Sequence, residues 1–256
     1  MTSVRLPERW RTDRLVLSDT AVSRVVAAEG DDDAVLLHLA GRRGTTVAGR
    51  GEPAGVRALL GTLLVAGRLG PASWMSLPRG TDPGAEALAT LGLARFSSWE
   101  WLATDAAPGR PTDGRVVVEL DRVADERAIR ACLAAANPST SADPTAEGEA
   151  AWFGVRGEAG DLLGVVGAAL RGGRPEGGAS WHLHGLGVRP GARTGGLGTA
   201  LTAAAAGAAF ERGAPWVSLG MYADNAAARR IYERLGFVTH AELDSYGPVD
   251  AVRPPA

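Results

Sequence analysis

Arg193, Gly196 and Gly198 stand in an R-x-x-G-x-G run between an expected strand, Trp181 to Val188, and an expected Ala-rich helix, Gly196 to Arg212. A glycine-rich turn that opens a helix leaves unpaired backbone N–H groups aimed outward. Those donors, with the positive end of the helix dipole, can hold a pyrophosphate, and glycine lets the backbone approach it closely. Just upstream lies His182-Leu183-His184. Strand side chains alternate faces at about 3.3 Å per residue, so the two rings share one face about 6 to 7 Å apart, and Leu186 and Val188 continue that face. An alkylamine with a pKa of roughly 10 must lose a proton before it attacks a carbonyl, and histidine accepts protons near neutrality. The competing reading makes them strand histidines satisfied by a carboxylate or water. Downstream, Asn225-x-x-Ala228-x-x-x-Tyr232-x-x-Leu235-Gly236-Phe237 sets Asn225 and Tyr232 two helical turns apart on one face.

A dinucleotide fingerprint needs G-x-G-x-x-G directly after a first parallel strand. Here Gly196-Leu197-Gly198 is followed by Thr199-Ala200-Leu201, so the third glycine is missing. That reading also leaves the Asn-to-Tyr spacing unexplained.

The elements that must position these residues follow from pattern. Thr104 to Gly114 combines Pro, Gly and small polar residues without apolar periodicity, so a boundary falls there. The expected division is a first domain at 1–105, a linker at 106–114 and a second domain at 115–256. In the second domain the reading is strand Arg115 to Leu120, helix Asp125 to Ala136, polar loop Ser139 to Glu149, strands Ala151 to Arg156 and Leu162 to Arg171, then the Trp181 strand and Gly196 helix. The loop carries Asp143, Glu147 and Glu149, which either draw a cationic substrate or are simply solvated. Strand Trp216 to Tyr222, helix Asn225 to Leu235 and strand Phe237 to Tyr246 complete the domain. The order is that of an α/β (α+β) protein with a mixed central sheet flanked by helices. In the first half, Trp74-Met75-Ser76-Leu77 and Leu91-Gly92-Leu93 echo Trp216-Val217-Ser218-Leu219 and Leu235-Gly236-Phe237. A tandem duplication would explain the echo, with a first copy that has lost the loop ahead of its Ala54 to Arg68 helix and both the Asn and the Tyr.

Composition removes several classes. The chain has 256 residues, 45% of them hydrophobic, a net charge of -2 and no Lys, and its Arg residues form no basic stripe, so nucleic acid is not an expected partner. The N-terminus lacks the apolar core of a signal peptide and no apolar run is long enough to span a membrane, which implies a cytoplasmic protein without membrane association. The single cysteine, Cys132, excludes an internal disulfide and is expected to be a buried small residue. No His/Cys/Asp/Glu spacing suggests a metal.

From His184 to Phe237 the sequence resembles the cofactor-binding core of the GNAT acetyltransferase superfamily, carried by Leu186-Gly187-Val188-Arg189-Pro190, the Arg193 loop and the Asn225 to Phe237 motif. The resemblance implies the GNAT fold from about residue 115 onward, preceded by a smaller degenerate copy, and acetyl-CoA as co-substrate without a metal. It further implies that backbone groups of Leu186, Gly187 and Val188 pair with the pantetheine arm. Arg193, Thr194, Gly195, Gly196, Leu197, Gly198 and Thr199 would surround the pyrophosphate, Asn225 and Ala228 would contact the cofactor, and Tyr232 would lie near the sulfur. His-Leu-His-Gly-Leu-Gly-Val is similar to a segment of arylalkylamine N-acetyltransferases, whose paired histidines relay a proton; Gly185 and Gly187 depart from the usual Ala. On this reading His182 and His184 are base and relay. Tyr232 is the acid that protects the departing thiolate, unless it is a core tyrosine beneath the Leu235-Phe237 turn. The expected partner is a small-molecule amine, with a peptide or protein amine or a non-catalytic acyl-CoA module as alternatives, and the chain is expected to be a monomer or homodimer.

Overall fold

The structure, a computed structural model, describes residues 4–42, 44–109, 116–174 and 177–251. It divides into two compact units. The first takes the chain up to Trp101, Tyr222–Asp224 and everything from His240 on; the second takes Leu102–Met221 and Asn225–Thr239. The continuous domain expected at 115–256 therefore needs correction, because its last strand leaves it at His240. Of the expected linker, residues 110–114 lie outside the described residues.

In the first unit α1 (Arg14–Thr20) precedes an antiparallel run of β1 (Arg24–Gly30), β2 (Ala34–Gly41) and β3 (Gly44–Gly51). Helix α2 (Pro53–Val65) then crosses over, β4 (Trp74–Pro78) returns parallel to β3, and α3 (Ala85–Leu91) leads into β5 (Leu93–Thr104). Between β4 and β5 in the strand order sits β11 (Val238–Pro248), antiparallel to β4 through Leu243↔Pro78, Asp244↔Leu77, Ser245↔Ser76 and Tyr246↔Met75. Strand alternation splits the core. Leu36, Val47, Met75 and Leu77 pack with Val56 and Leu60 of α2, while Val35, Leu37 and Ala48 pack with Trp10 and Val16 on the other face.

The second unit repeats that order. Strands β6 (Val118–Leu120), β7 (Glu149–Arg156), β8 (Leu162–Arg171) and β9 (Ser180–Val188) are antiparallel neighbours, α5 (Leu197–Glu211) crosses over, and β10 (Val217–Tyr222) lies parallel to β9. Helix α4 (Glu126–Ala136) buries Ile129, Cys132, Leu133 and Ala136, one stripe at helical spacing, and ends at Asn137 because the following Pro138 disfavours a helical residue before it. Helix α5 buries Leu197, Leu201, Ala203, Ala205, Ala206 and Ala209 against Leu183, Val217 and Leu219. Its alanines let it lie close to the strands, and Leu201 is fully buried, so truncation to Ala would cost about 2 to 5 kcal/mol. Helix α6 (Ala226–Arg234) completes the unit. Among the described residues no helix is long and apolar enough to cross a membrane.

Candidate active site

The parallel pairing of β10 with β9 runs through Val217↔Trp181, Ser218↔His182 and Leu219↔Leu183. Beyond Leu183, β9 carries a bulge. Its register against β8 slips between Gly167↔His184 and Val165↔Gly187, and Gly185 adopts φ +60, a left-handed conformation that favours glycine. A Cβ there would also meet Ala142 Cβ at 2.8 Å. The bulge inverts the alternation. His184 packs edge-on to Trp152 on the α4 face, whereas Leu186 and Val188 pack on the α5 side, so the expectation that they continue the histidine face is wrong. The extra residue at the bulge is the reason, and it also accounts for glycine where alanine was the expected residue.

Arg189 N–H donates to the Leu163 carbonyl, so by alternation Gly187 also turns its backbone groups toward β8, and Leu186 and Val188 turn theirs to the edge beyond which β10 pairing has ended. The Val188 carbonyl accepts from Arg193 Nε at 3.2 Å and the Leu186 carbonyl from Asn137 Nδ2 at 3.5 Å. Arg193 Nη2 also donates to the Ala136 carbonyl at 3.2 Å, closing the C-terminal end of α4. The Arg193 side chain thus braces the loop. That loop is a 3-10 turn, Pro190–Gly195, which takes in Thr194 and Gly195; Gly196 follows at φ +72, and α5 starts at Leu197. Gly198 and Thr199 fall in the first turn of α5, where a Cβ on Gly198 would lie 3.4 Å from Ile231 Cδ1, so α6 packs over the loop. The Leu197 side chain is buried in the core and leaves only its amide to the loop.

His182 and His184 sit on the face away from α5, while Trp181 and Leu183 point into the α5 core. Their surroundings differ. His184 Nε2 lies 3.0 Å and 3.1 Å from the two carboxylate oxygens of Glu149, whose side chain is 5% exposed and also accepts from Trp152 Nε1 at 2.6 Å. His184 therefore presents its Nε2–H to Glu149 and keeps Nδ1 as an acceptor. His182 Nδ1 lies 3.0 Å from Ser218 Oγ, which reaches the Trp181 carbonyl at 3.5 Å. Burial first, then the positive charge of Arg171 and the neighbouring His184, lower the His182 pKa to about 3. These surroundings favour its neutral form.

Tyr232 is buried in the α5 core, its ring 6.0 Å from that of Phe237, and burial raises its hydroxyl to about 12. Tyr232 thus fills the core beside Phe237, the packing reading considered for it. Asn225 caps α6, its Oδ1 accepting from Ala228 N–H at 3.0 Å, which sets the helix start. Cys132 is fully buried and burial raises its pKa, as suits a packing residue. Among the described residues no group of three or more His, Cys, Asp or Glu could hold a metal. Ser218 and Asn137 are site residues that the sequence does not single out. Glu149, expected as one of three loop acids, is instead the buried partner of His184.

Residues 120–237 match the model of the Acetyltransferase (GNAT) family. A GCN5-related N-acetyltransferase from Kribbella flavida has the same fold, with a TM-score of 0.62 at 21% identity over 96% of this chain and 98% of that one. A second, from Sphaerobacter thermophilus, gives 0.54 at 20% identity over 84% and 76%. Among curated proteins, a mycothiol acetyltransferase of Streptomyces avermitilis is 54% identical over 55 residues, 22% of this chain and 18% of that protein. One from Nocardiopsis dassonvillei is 41% identical over 90 residues, 34% of this chain and 26% of its own length. The chain thus spans only a small part, 18% and 26%, of the length of these two curated relatives.

Proposed function

We propose that the second unit is a GNAT acetyltransferase site that passes an acetyl or short acyl group from acyl-CoA to a primary amine by direct attack. One observation carries this reading: β9 and β10 part after Leu183, with the Gly196 turn that opens α5 at one end and a carboxylate-held histidine at the other. A parted strand pair whose edge amides belong to Leu186 and Val188 suits an extended pantetheine arm, and the Gly196 loop suits its pyrophosphate. When bound, acyl-CoA would supply the thioester; the chain's own residues move protons. His184 takes the proton of the attacking amine at Nδ1, while Glu149 balances the imidazolium through Nε2–H. His182 is too poor a base for that step and serves as a neutral hydrogen-bond relay from Ser218. The amine nitrogen bonds to the carbonyl carbon, the C–S bond breaks, and the leaving thiolate is met by the Tyr232 hydroxyl. No covalent enzyme intermediate is needed.

The acceptor is sought by thiol release from acetyl-CoA across aryl and alkyl amines, with amines related to mycothiol included because of the named relatives. Turnover with any of them that collapses in Glu149→Gln and His184→Gln supports the reading. CoA binding without turnover across the whole panel would instead leave an acyl-CoA-binding module.

A further inference from the structure

We infer that the first unit holds a separate binding cleft that takes the carboxylate of a small organic acid. A cavity of about 540 Å³ lies there, with Arg14, Arg50, Glu52, Trp101, His240 and Glu242 in its wall. It stands apart from the acyl-transfer reading, since no residue of that mechanism lines it.

Register shows what this place in the fold corresponds to. In β3 and β4 the parallel pairs are Thr46↔Trp74, Val47↔Met75 and Ala48↔Ser76. Trp74-x-Ser76-Leu77 repeats Trp216-x-Ser218-Leu219, and Ser218 pairs with His182, so Ala48 takes the place of His182 and Arg50 that of His184. The first unit therefore keeps a side chain on that face but replaces an imidazole by a guanidinium. Arg50 is 5% exposed, donates to Asp19 Oδ2 at 2.5 Å and to the Gly49 carbonyl at 2.6 Å, and so cannot swing away.

Nε of Arg50 and the indole Nε1 of Trp101, a residue 1% exposed, are buried donors in this wall without an acceptor among the described residues. Buried N–H groups are otherwise nearly always paired, and a carboxylate offers an acceptor to each. The His240 ring stands edge-on to Trp101, with centroids 5.8 Å apart, and stiffens the wall. Charge is graded along the cleft. The donors are buried, whereas the exposed Arg9 and Glu52 carry opposite charges at the mouth and Glu242, its side chain 55% exposed, pairs with Arg79 at 2.7 Å. Three arginines (Arg9, Arg14, Arg50) and three carboxylates (Asp13, Glu52, Glu242) line the cleft, so it suits a small singly charged or zwitterionic acid better than a dianion such as phosphate.

The test is NMR of the full chain, following the indole N–H signal assigned to Trp101 by its loss in Trp101→Phe. Acetate, glycine, inorganic phosphate and the neutral control acetamide are titrated in turn. The expected result is a saturable shift with acetate and glycine only, the glycine affinity being the higher. Trp101→Phe, which removes one N–H and keeps an aromatic ring, should weaken glycine binding about tenfold by calorimetry, the effect of one charge-assisted hydrogen bond. Arg50→Gln should abolish binding if that variant folds; Trp101→Phe carries the test if it does not. An unmoved Trp101 signal at acid concentrations on the order of 0.1 M, an equal response to acetamide or phosphate, or unchanged affinity in Trp101→Phe would each overturn the site. None of these readouts depends on acyl transfer, so failure here is distinct from failure of the proposed function.

Discussion

Two histidines one residue apart are divided in role by what each touches. His184 gains a buried carboxylate that can balance a charge on its ring, and His182 gains burial, Arg171 and Ser218, which hold it neutral. Turnover should therefore depend chiefly on His184. His184→Gln and Glu149→Gln should each lower turnover about 10² to 10⁴-fold, while His182→Gln should slow the reaction less. Steady-state rates with an accepted amine check this, and a larger loss in His182→Gln than in His184→Gln would reverse the assignment. Tyr232→Phe should slow thiol release without changing the shape of the pH–rate profile, because a hydroxyl raised to about 12 stays protonated across it. Stability carries a second signature of His182. Its folded pKa is about 3 against an ordinary 6.5, so below pH 6.5 the unfolded chain takes up a proton that the folded chain refuses. Stability is fully present above pH 6.5 and is lost as pH falls toward 3, with a slope of about 1.4 kcal/mol per pH unit from this group. His182→Asn should flatten the denaturation midpoint between about pH 5 and 6.5 by that one-proton slope; an unchanged slope would show the ring to be solvated. The paired histidines were legible because alternation needs only a strand. The place of Glu149 was not: it lies three positions before Trp152, which strict alternation assigns to opposite faces, and the register slip between Glu149 and Ala151 brings both to one side.

At the scale of elements, the site depends on one glycine bending one strand. Gly185 supplies a positive φ that other residues adopt at a cost of about 1 to 3 kcal/mol, and a side chain there also meets Ala142 and Trp152. Gly185→Val should therefore lose that much stability or more. It should also lower acetyl-CoA affinity in calorimetry, because straightening β9 closes the edge at Leu186 and Val188. Gly196→Val strains the loop at φ +72 and should remove cofactor binding with a smaller effect on the melting temperature. Undiminished binding in both variants would place the cofactor elsewhere. Element order was readable from periodicity and punctuation: α4, β8, β9, α5, β10 and α6 each fall within a few residues of their expected spans. The bulge was not readable, because a Gly in a strand pattern is equally a packing concession. Only the slip between Gly167↔His184 and Val165↔Gly187 shows that it kinks the chain.

At the scale of the whole molecule, the last strand belongs to the half from which sequence order separates it. Composition marked the Pro- and Gly-rich stretch after Thr104 as a boundary, but composition cannot show which sheet a later strand completes. Such pairing is long-range, and nothing local to Val238–Pro248 records its partner. Leu243 and Tyr246 are buried, Tyr246 belongs to the first unit's core beside Met75 and Leu77, and Asp244 holds Arg95 at 2.8 Å and Ser98 at 2.6 Å. A fragment of residues 1–105 would lack these groups and would leave β4 without its antiparallel neighbour. It should be unfolded or aggregated, since losing two large buried side chains removes about 3 to 6 kcal/mol, comparable with the whole stability of a small domain. Adding a peptide of residues 236–251 should restore dispersed NMR signals in a concentration-dependent manner, as binding of a missing strand stabilises by mass action. The same peptide with Leu243→Asp and Tyr246→Asp should fail, because its backbone can still pair but its side chains cannot enter the core. A cooperative thermal transition in the isolated 1–105 fragment, unaffected by the peptide, would mean that the first half is autonomous and that the last strand merely lies against it.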